Sequence, residues 1–156
     1  MNESTDEHTG GCLCGAVTYE STAPPVDAGL CHCRMCQKST GSAFMAIAGY
    51  ARDSFRITNG DPKIYQSSSI KEKGFCSNCG SLLFDRYLVD TGLSDPDIYW
   101  VQVGTLDHPD KVSMKWHVGV ESQLSWIHFD DELPKSRSDE DPYLQAAFAA
   151  TKSQKT

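Results

Sequence analysis

No run of about 18 apolar residues occurs in the 156-residue chain, so no segment reads as a membrane-spanning helix. Positive charge is scarce: 14 Lys and Arg against 21 Asp and Glu give a formal charge of −7. A net acidic chain repels phosphate backbones at long range, which argues against general nucleic-acid binding while leaving room for a local basic pocket. The opening residues, MNESTDEHTG, lack the basic and apolar regions of an export signal. The expected location is therefore the cytosol, where thiols stay reduced. Hydrophobic residues make up 39% of the chain, a little low for a compact globule, and both ends are polar. Helix signals are few, and neither an internal repeat nor a second domain is legible.

Short strands dominate what is legible. A β-prone run around Val17 and Thr18 ends at the proline-rich TAPPV. AFMAIAG, DSFRIT, PKIYQSS and SLLFDRY read as further strands, and Ile98 to Val103 is the strongest, rich in aromatic and β-branched residues. QLSWIHFD reads as another, with Leu124 and Trp126 on one face and Ile127 and Phe129 on the other. The connections are too short for helical crossovers, so mostly antiparallel sheets are expected. CRMCQKST suits one or two helical turns stopped by Gly41. Near the end, Asp141 suits an N-cap and Pro142 a first helical position, with Leu144, Ala147 and Phe148 on one face. The fold class expected is mainly β with a few short helices.

Seven cysteines is an odd and high number for a reduced compartment, which favours metal ligation over disulfides. They fall as C-x-C at 12 and 14, C-x-C-x-x-C at 31, 33 and 36, and C-x-x-C at 76 and 79. Closely spaced pairs let two thiolates reach one ion, and zinc takes four such ligands tetrahedrally. The preferred partition is Cys12, Cys14, Cys76 and Cys79 as a closed site, leaving Cys31, Cys33 and Cys36 as a three-ligand site. It splits no close-spaced group. The competing partition closes Cys12, Cys14, Cys31 and Cys33. A saturated four-thiolate zinc contributes folding energy. A three-thiolate zinc keeps a position for substrate, for which a thiol is the natural soft ligand.

GGCLCGAVTYE, CHCRMCQKSTGSAF, FCSNCGSLLF, VGTLDHPD and WIHFDDELP together resemble the glutathione-dependent formaldehyde-activating enzyme family, which includes centromere protein V. The resemblance runs from about Gly10 to Pro134 and covers all seven cysteines. It implies antiparallel β-tent-like sheets braced by two zinc ions per chain. Cys12, Cys14, Cys76 and Cys79 would hold the structural zinc, and Cys31, Cys33 and Cys36 the catalytic one. The implied activity is that of a carbon–sulfur lyase joining glutathione and formaldehyde as S-hydroxymethylglutathione. Two alternatives stand beside it: a zinc-stabilised binding or scaffold module without chemistry, and a lyase of the same fold with another substrate. The expected organisation is a flexible stretch at 1–9, the zinc-binding domain at 10–134, and a charged linker with a short helix and tail at 135–156.

The expected partner is a small-molecule thiol such as glutathione, with neither nucleic acid nor membrane, and the oligomeric state stays open. Arg34 is a candidate for a substrate carboxylate, against a local salt bridge or neutralisation of the thiolates. Gln37, Lys38, Ser39 and Ser42 are candidates to hydrogen-bond a peptide-like thiol. Gln37 and Ser42 equally suit donation to metal-bound sulfur. His32 is expected to point away from Cys31 and Cys33, as a surface group or beside the ligands. His117 is the better proton-transfer candidate, set against a satisfied structural histidine. Phe44, Phe75, Phe84, Trp100, Trp116 and Trp126 read first as core. DDELPKSRSDEDP reads as a solvated charged linker.

Overall fold

The computed structural model describes residues 8–90, 92 and 98–153. Residues 1–7 of the expected flexible stretch, and 154–156 of the tail, lie outside the described residues. No helix among the described residues is long and apolar enough to cross a membrane.

Among the described residues, eleven strands and two α-helices follow in chain order: β1 (Thr9–Gly11), β2 (Thr18–Ser21), β3 (Asp27–Cys31), α1 (Arg34–Thr40), β4 (Met45–Ala51), β5 (Phe55–Asn59), β6 (Lys63–Gln66), β7 (Lys71–Phe75), β8 (Leu82–Tyr87), β9 (Ile98–Gln102), β10 (His117–Val118), β11 (Lys135–Ser136) and α2 (Pro142–Ser153). β1, β2 and β5 make a small antiparallel sheet. The other strands make one long sheet in the order β11-β10-β3-β4-β9-β8-β7-β6.

The mainly β expectation holds, with two corrections. β10 runs parallel to both β3 and β11, so the long sheet is mixed. Its long connection from β3 passes through most of the chain, which is what a parallel neighbour needs. QLSWIHFD forms no strand, and Trp126 is 69% exposed rather than core. Alternation alone does not make a strand where no partner backbone is available. Phe129 instead turns inward, its ring 4.7 Å from that of His117. The charged run after it is not wholly a solvated linker: Lys135 and Ser136 pair with β10, and Asp131 accepts a hydrogen bond from His117.

The long sheet separates two cores. Along β4, alternating residues face opposite ways. Met45 and Ile47 join one core with Cys31, Cys36, Ile70, Tyr87, Trp100 and Val118. Ala48 and Tyr50 join the other with Cys12, Cys76, Tyr19, Phe55, Phe84 and Val101. Each core thus contains members of one cysteine set.

The helices are capped as their sequences suggest. α1 starts at Cys33, whose sulfur accepts from the Cys36 N–H at 3.4 Å. It stops at Gly41, where φ of 65° suits a residue without a Cβ. Asp141 caps α2 by accepting from the Leu144 N–H at 2.9 Å. Ala147 of α2 is fully buried in the core that holds Met45 and Ile47, whereas Phe148 stays 48% exposed.

Candidate metal centres and the adjoining cavity

Two tight loops carry the first cysteine set. One follows β1 and is closed by Gly15 N–H to Cys12 carbonyl at 3.0 Å; the other follows β7 and is closed by Gly80 N–H to Cys76 carbonyl at 2.8 Å. They bring the sulfurs of Cys12, Cys14, Cys76 and Cys79 within 4.8 Å of one another. In a tetrahedron with bonds of about 2.3 Å, sulfurs sit about 3.8 Å apart. The Cys12–Cys14 and Cys14–Cys76 separations are 3.6 and 3.8 Å, so the donor set fits zinc. Val17 N–H lies 3.2 Å from Cys12 sulfur and holds that thiol below its ordinary value, and Asn78 Nδ2 lies 3.2 Å from Cys14 sulfur. A hydrogen bond from the Ser81 hydroxyl pulls the Cys79 thiol down to about 5.

The second set straddles the junction of β3 and α1. Cys31 ends the strand, Cys33 caps the helix, and Cys36 lies in its first turn. Their sulfurs also lie within 4.8 Å of one another, and among the described residues no fourth His, Cys, Asp or Glu joins them at that range. The three thiols push one another's ionisation apart. Hydrogen bonds from Cys31 and Cys36 pull Cys33 down to about 2. The same contact with Cys33 pushes Cys31 up to about 11, and Cys31 and Cys33 push Cys36 up further still. A bound cation relieves that conflict, since metal ligation needs all three deprotonated. The set suits zinc with three protein ligands.

Beside these thiols lies a cavity of about 490 Å³, within the usual range for ligand sites. Cys31, Cys33 and Cys36 line it, with Ile47, Ile70, Tyr87, Trp100 and Trp116. Lys71 and Lys73 also reach it. Lys73 is committed to Asp85, with both carboxylate oxygens 2.9 Å from Nζ and side chains 6% and 1% exposed. Lys71 lies over the Tyr87 ring, 4.6 Å from its centroid. Burial works against the Lys71 charge, but the Tyr87 phenol, Asp85 and the Cys36 and Cys31 thiols together hold its pKa above the ordinary value.

His32 does point away from the thiols, but it is fully buried rather than a surface group. Its Nε2 lies 2.8 Å from His117 Nδ1, and His117 Nε2 lies 3.0 Å from Asp131 Oδ2. Phe44 and Phe129 wall the pair. His117 lines the cavity, yet both its ring nitrogens are already engaged, so it has no nitrogen left to exchange a proton with substrate.

The polar residues of α1 fall in three places. Gln37 is buried; its Nε2 donates to the carbonyls of His32 at 2.7 Å and Ser122 at 2.9 Å, and its Oε1 accepts from Arg34. Arg34 and Ser42 are exposed and line neither cavity. Lys38 and Ser39 line a second, more open cavity of about 520 Å³ with Tyr65, Ser67 and Phe75. Met35 and Lys73 border both cavities.

Sequence reasoning missed Lys71, the Lys73–Asp85 pair and the C-terminal wall of Tyr143, Leu144 and Phe148. The lysines had a signal: in IKEKGF they alternate onto one face, and Lys73 pairs in register with Asp85. The wall had half of one: Leu144 and Phe148 share a face of the expected C-terminal helix, but nothing local places that face beside the cysteines.

A family model described as glutathione-dependent formaldehyde-activating enzyme matches residues 7–122. An uncharacterised lyase of Schizosaccharomyces pombe is 35% identical over 81 residues, which cover 52% of this chain and 58% of the yeast protein. A Halomonas elongata protein named for the same enzyme family is 32% identical over 83 residues, covering 48% of this chain and 53% of its own. The chain thus spans little more than half the length of these curated relatives. A crystal structure of a Rhodobacter sphaeroides protein shares the fold, with a TM-score of 0.50 and 23% identity over 81% of this chain and 98% of that one. By the extent of the family match, the chain belongs to the glutathione-dependent formaldehyde-activating enzyme family.

Proposed function

We propose that the chain is a zinc-dependent carbon–sulfur lyase that makes or breaks the bond between a small thiol and an electrophilic carbon, the reaction type of S-hydroxymethylglutathione synthase. The observation that carries this reading is the three-cysteine set, which finds no fourth ligand among the described residues and opens onto a cavity. Cys12, Cys14, Cys76 and Cys79 would hold a structural zinc, and Cys31, Cys33 and Cys36 a catalytic one. Bound there, zinc supplies the positive charge that keeps a substrate thiol deprotonated at neutral pH.

In the forward direction the thiolate sulfur adds to the carbonyl carbon of an aldehyde. The carbonyl π electrons pass to oxygen, which takes up the proton that the thiol released. Lys71 Nζ, held protonated beside the thiols, donates a hydrogen bond to that oxygen as its charge grows. Trp100, Trp116, Ile47 and Ile70 keep water from the reacting carbon. The His32–His117–Asp131 chain fixes the strand ends that present Cys31 rather than moving the substrate proton. A cytosolic setting with reduced thiols suits this chemistry.

The test is aldehyde consumption by zinc-loaded protein in the presence of a thiol, with zinc counted per chain. Activity that requires thiol, and that disappears in Cys36→Ser along with one zinc, supports the reading. Thiol-independent behaviour of the native protein would overturn it.

A further inference from the structure

The long cavity has walls of a particular chemistry. Ile47, Ile70, Trp100 and Trp116 form one side, while Leu144 and Phe148 of α2 form another. Its charged groups are mostly engaged within the protein, and its other polar groups are a few hydroxyls, of Ser68, Tyr87, Ser136, Ser138 and Tyr143. Lys73 is neutralised by Asp85. Asp27 accepts from the Trp116 indole at 2.9 Å, and Asp141 caps α2. His117 has no free nitrogen. Among the described residues no arginine lines the cavity, and the remaining ammonium there, Lys71, lies over the Tyr87 ring. A tripeptide thiol carrying two carboxylates and an ammonium would lose hydration here and find one free ammonium and a few hydroxyls in return, at a cost that apolar walls do not offset. An uncharged hydrocarbon body loses nothing and gains buried area.

We infer that this cavity takes a monothiol, or its carbon–sulfur adduct, with an uncharged aromatic or aliphatic body, and that α2 sets this preference. The inference rests on the proposed thiol chemistry and narrows its substrate class. The wall that α2 contributes lies wholly beyond residue 122, where the family match ends. The part of the preference that α2 sets therefore lies outside the matched segment, while Ile47, Ile70, Trp100 and Trp116 lie within it. Thiol sulfur would sit toward Cys31, Cys33 and Cys36, with the body lying between the two tryptophans and α2.

The experiment titrates the zinc-loaded full chain with benzyl mercaptan, glutathione and benzyl alcohol, following binding by calorimetry. Benzyl mercaptan is expected to bind about tenfold or more tightly than glutathione. Phe148→Asp, at a half-exposed position on the cavity wall, should weaken benzyl mercaptan binding and erase most of that advantage while leaving zinc content unchanged. Leu144→Ala should act in the same direction. Glutathione binding as tightly as benzyl mercaptan, or no change in either variant, would overturn the inference. The two readings fail separately. Tight glutathione binding that depends on Cys36 leaves the lyase proposal standing and removes this one. Equal binding of benzyl alcohol and benzyl mercaptan, both indifferent to Cys36→Ser, keeps the apolar site and removes the thiol chemistry.

Discussion

His32 Nε2 lies 2.8 Å from His117 Nδ1, and the two rings stack with centroids 5.1 Å apart, out of reach of solvent. Removing the second ring's nitrogens strands the first. His117→Phe keeps an aromatic ring but leaves His32 Nε2 buried without a partner, beside an Nδ1 that already has none among the described residues. The expected loss is about 1–3 kcal/mol of unfolding free energy, measured by denaturant titration. A neutral result would mean that the pair contributes nothing to stability.

Asp131 ends that chain, and the hydrogen bond from His117 is the first cause of its carboxyl lying below the ordinary 3.8; Lys135 adds to it. A carboxylate with a depressed folded pKa stabilises the fold above its unfolded value and loses that contribution as pH falls through the folded one. Stability should therefore decline as pH drops below about 4, and Asp131→Asn should show a shallower decline in that window. Identical acid limbs for the two proteins would refute the link.

Lys73 and Asp85 face each other across β7 and β8, buried and joined twice at 2.9 Å. Asp85→Ala leaves an ammonium without a counter-charge and should cost about 3–5 kcal/mol. The double variant Lys73→Met, Asp85→Leu should recover most of it, because well-packed apolar replacements often match a buried ion pair. Thermal unfolding of the single and double variants checks both statements.

Gly29 lies under the Trp116 ring, where an added Cβ would meet ring carbons at 2.2 Å. Gly29→Ala should displace the indole, break its hydrogen bond to Asp27, and destabilise by about 1–3 kcal/mol. It should also deform the cavity wall, read as a shift in tryptophan emission and weaker ligand binding. Unchanged emission and affinity would show that the ring has another place to go.

The two cysteine sets call for different losses on substitution. Cys36→Ser should remove one zinc and leave the fold cooperative. Cys76→Ser, at a residue 1% exposed within the core below the small sheet, should remove the other zinc and lower the unfolding midpoint as well. Zinc analysis and calorimetry on both variants decide it. Two zincs retained in Cys36→Ser would mean that the inner set binds none.

What the sequence made legible was local. The cysteine groups announce themselves because each spans a few positions, and α1 and α2 announce their caps at Gly41 and Asp141. β4 and β9 are apolar enough to be read directly. β3 escaped notice because DAGLC is short and begins with Asp beside small residues. β7 escaped because three charges in KEKGF mask a strand whose Lys73 points into the protein. Trp126 misled in the other direction, since its alternating neighbours have no strand to pair with. The cavity was illegible in principle: Ile47, Trp100, Trp116 and Leu144 approach one another only through sheet order and the docking of α2.

The pairing of β10 with β3 joins distant parts of the chain. Cys31 lies in register with Val118, and Cys14 meets Cys76 across 62 positions, whereas Cys31, Cys33 and Cys36 fall within one strand end and one helical turn. Contacts between distant positions form slowly because loop closure must come first. The inner thiols are therefore near neighbours on a nascent chain long before their walls exist, and the outer four are not. A chain that is still folding therefore offers its three inner thiols as a cluster before the outer four have been brought together.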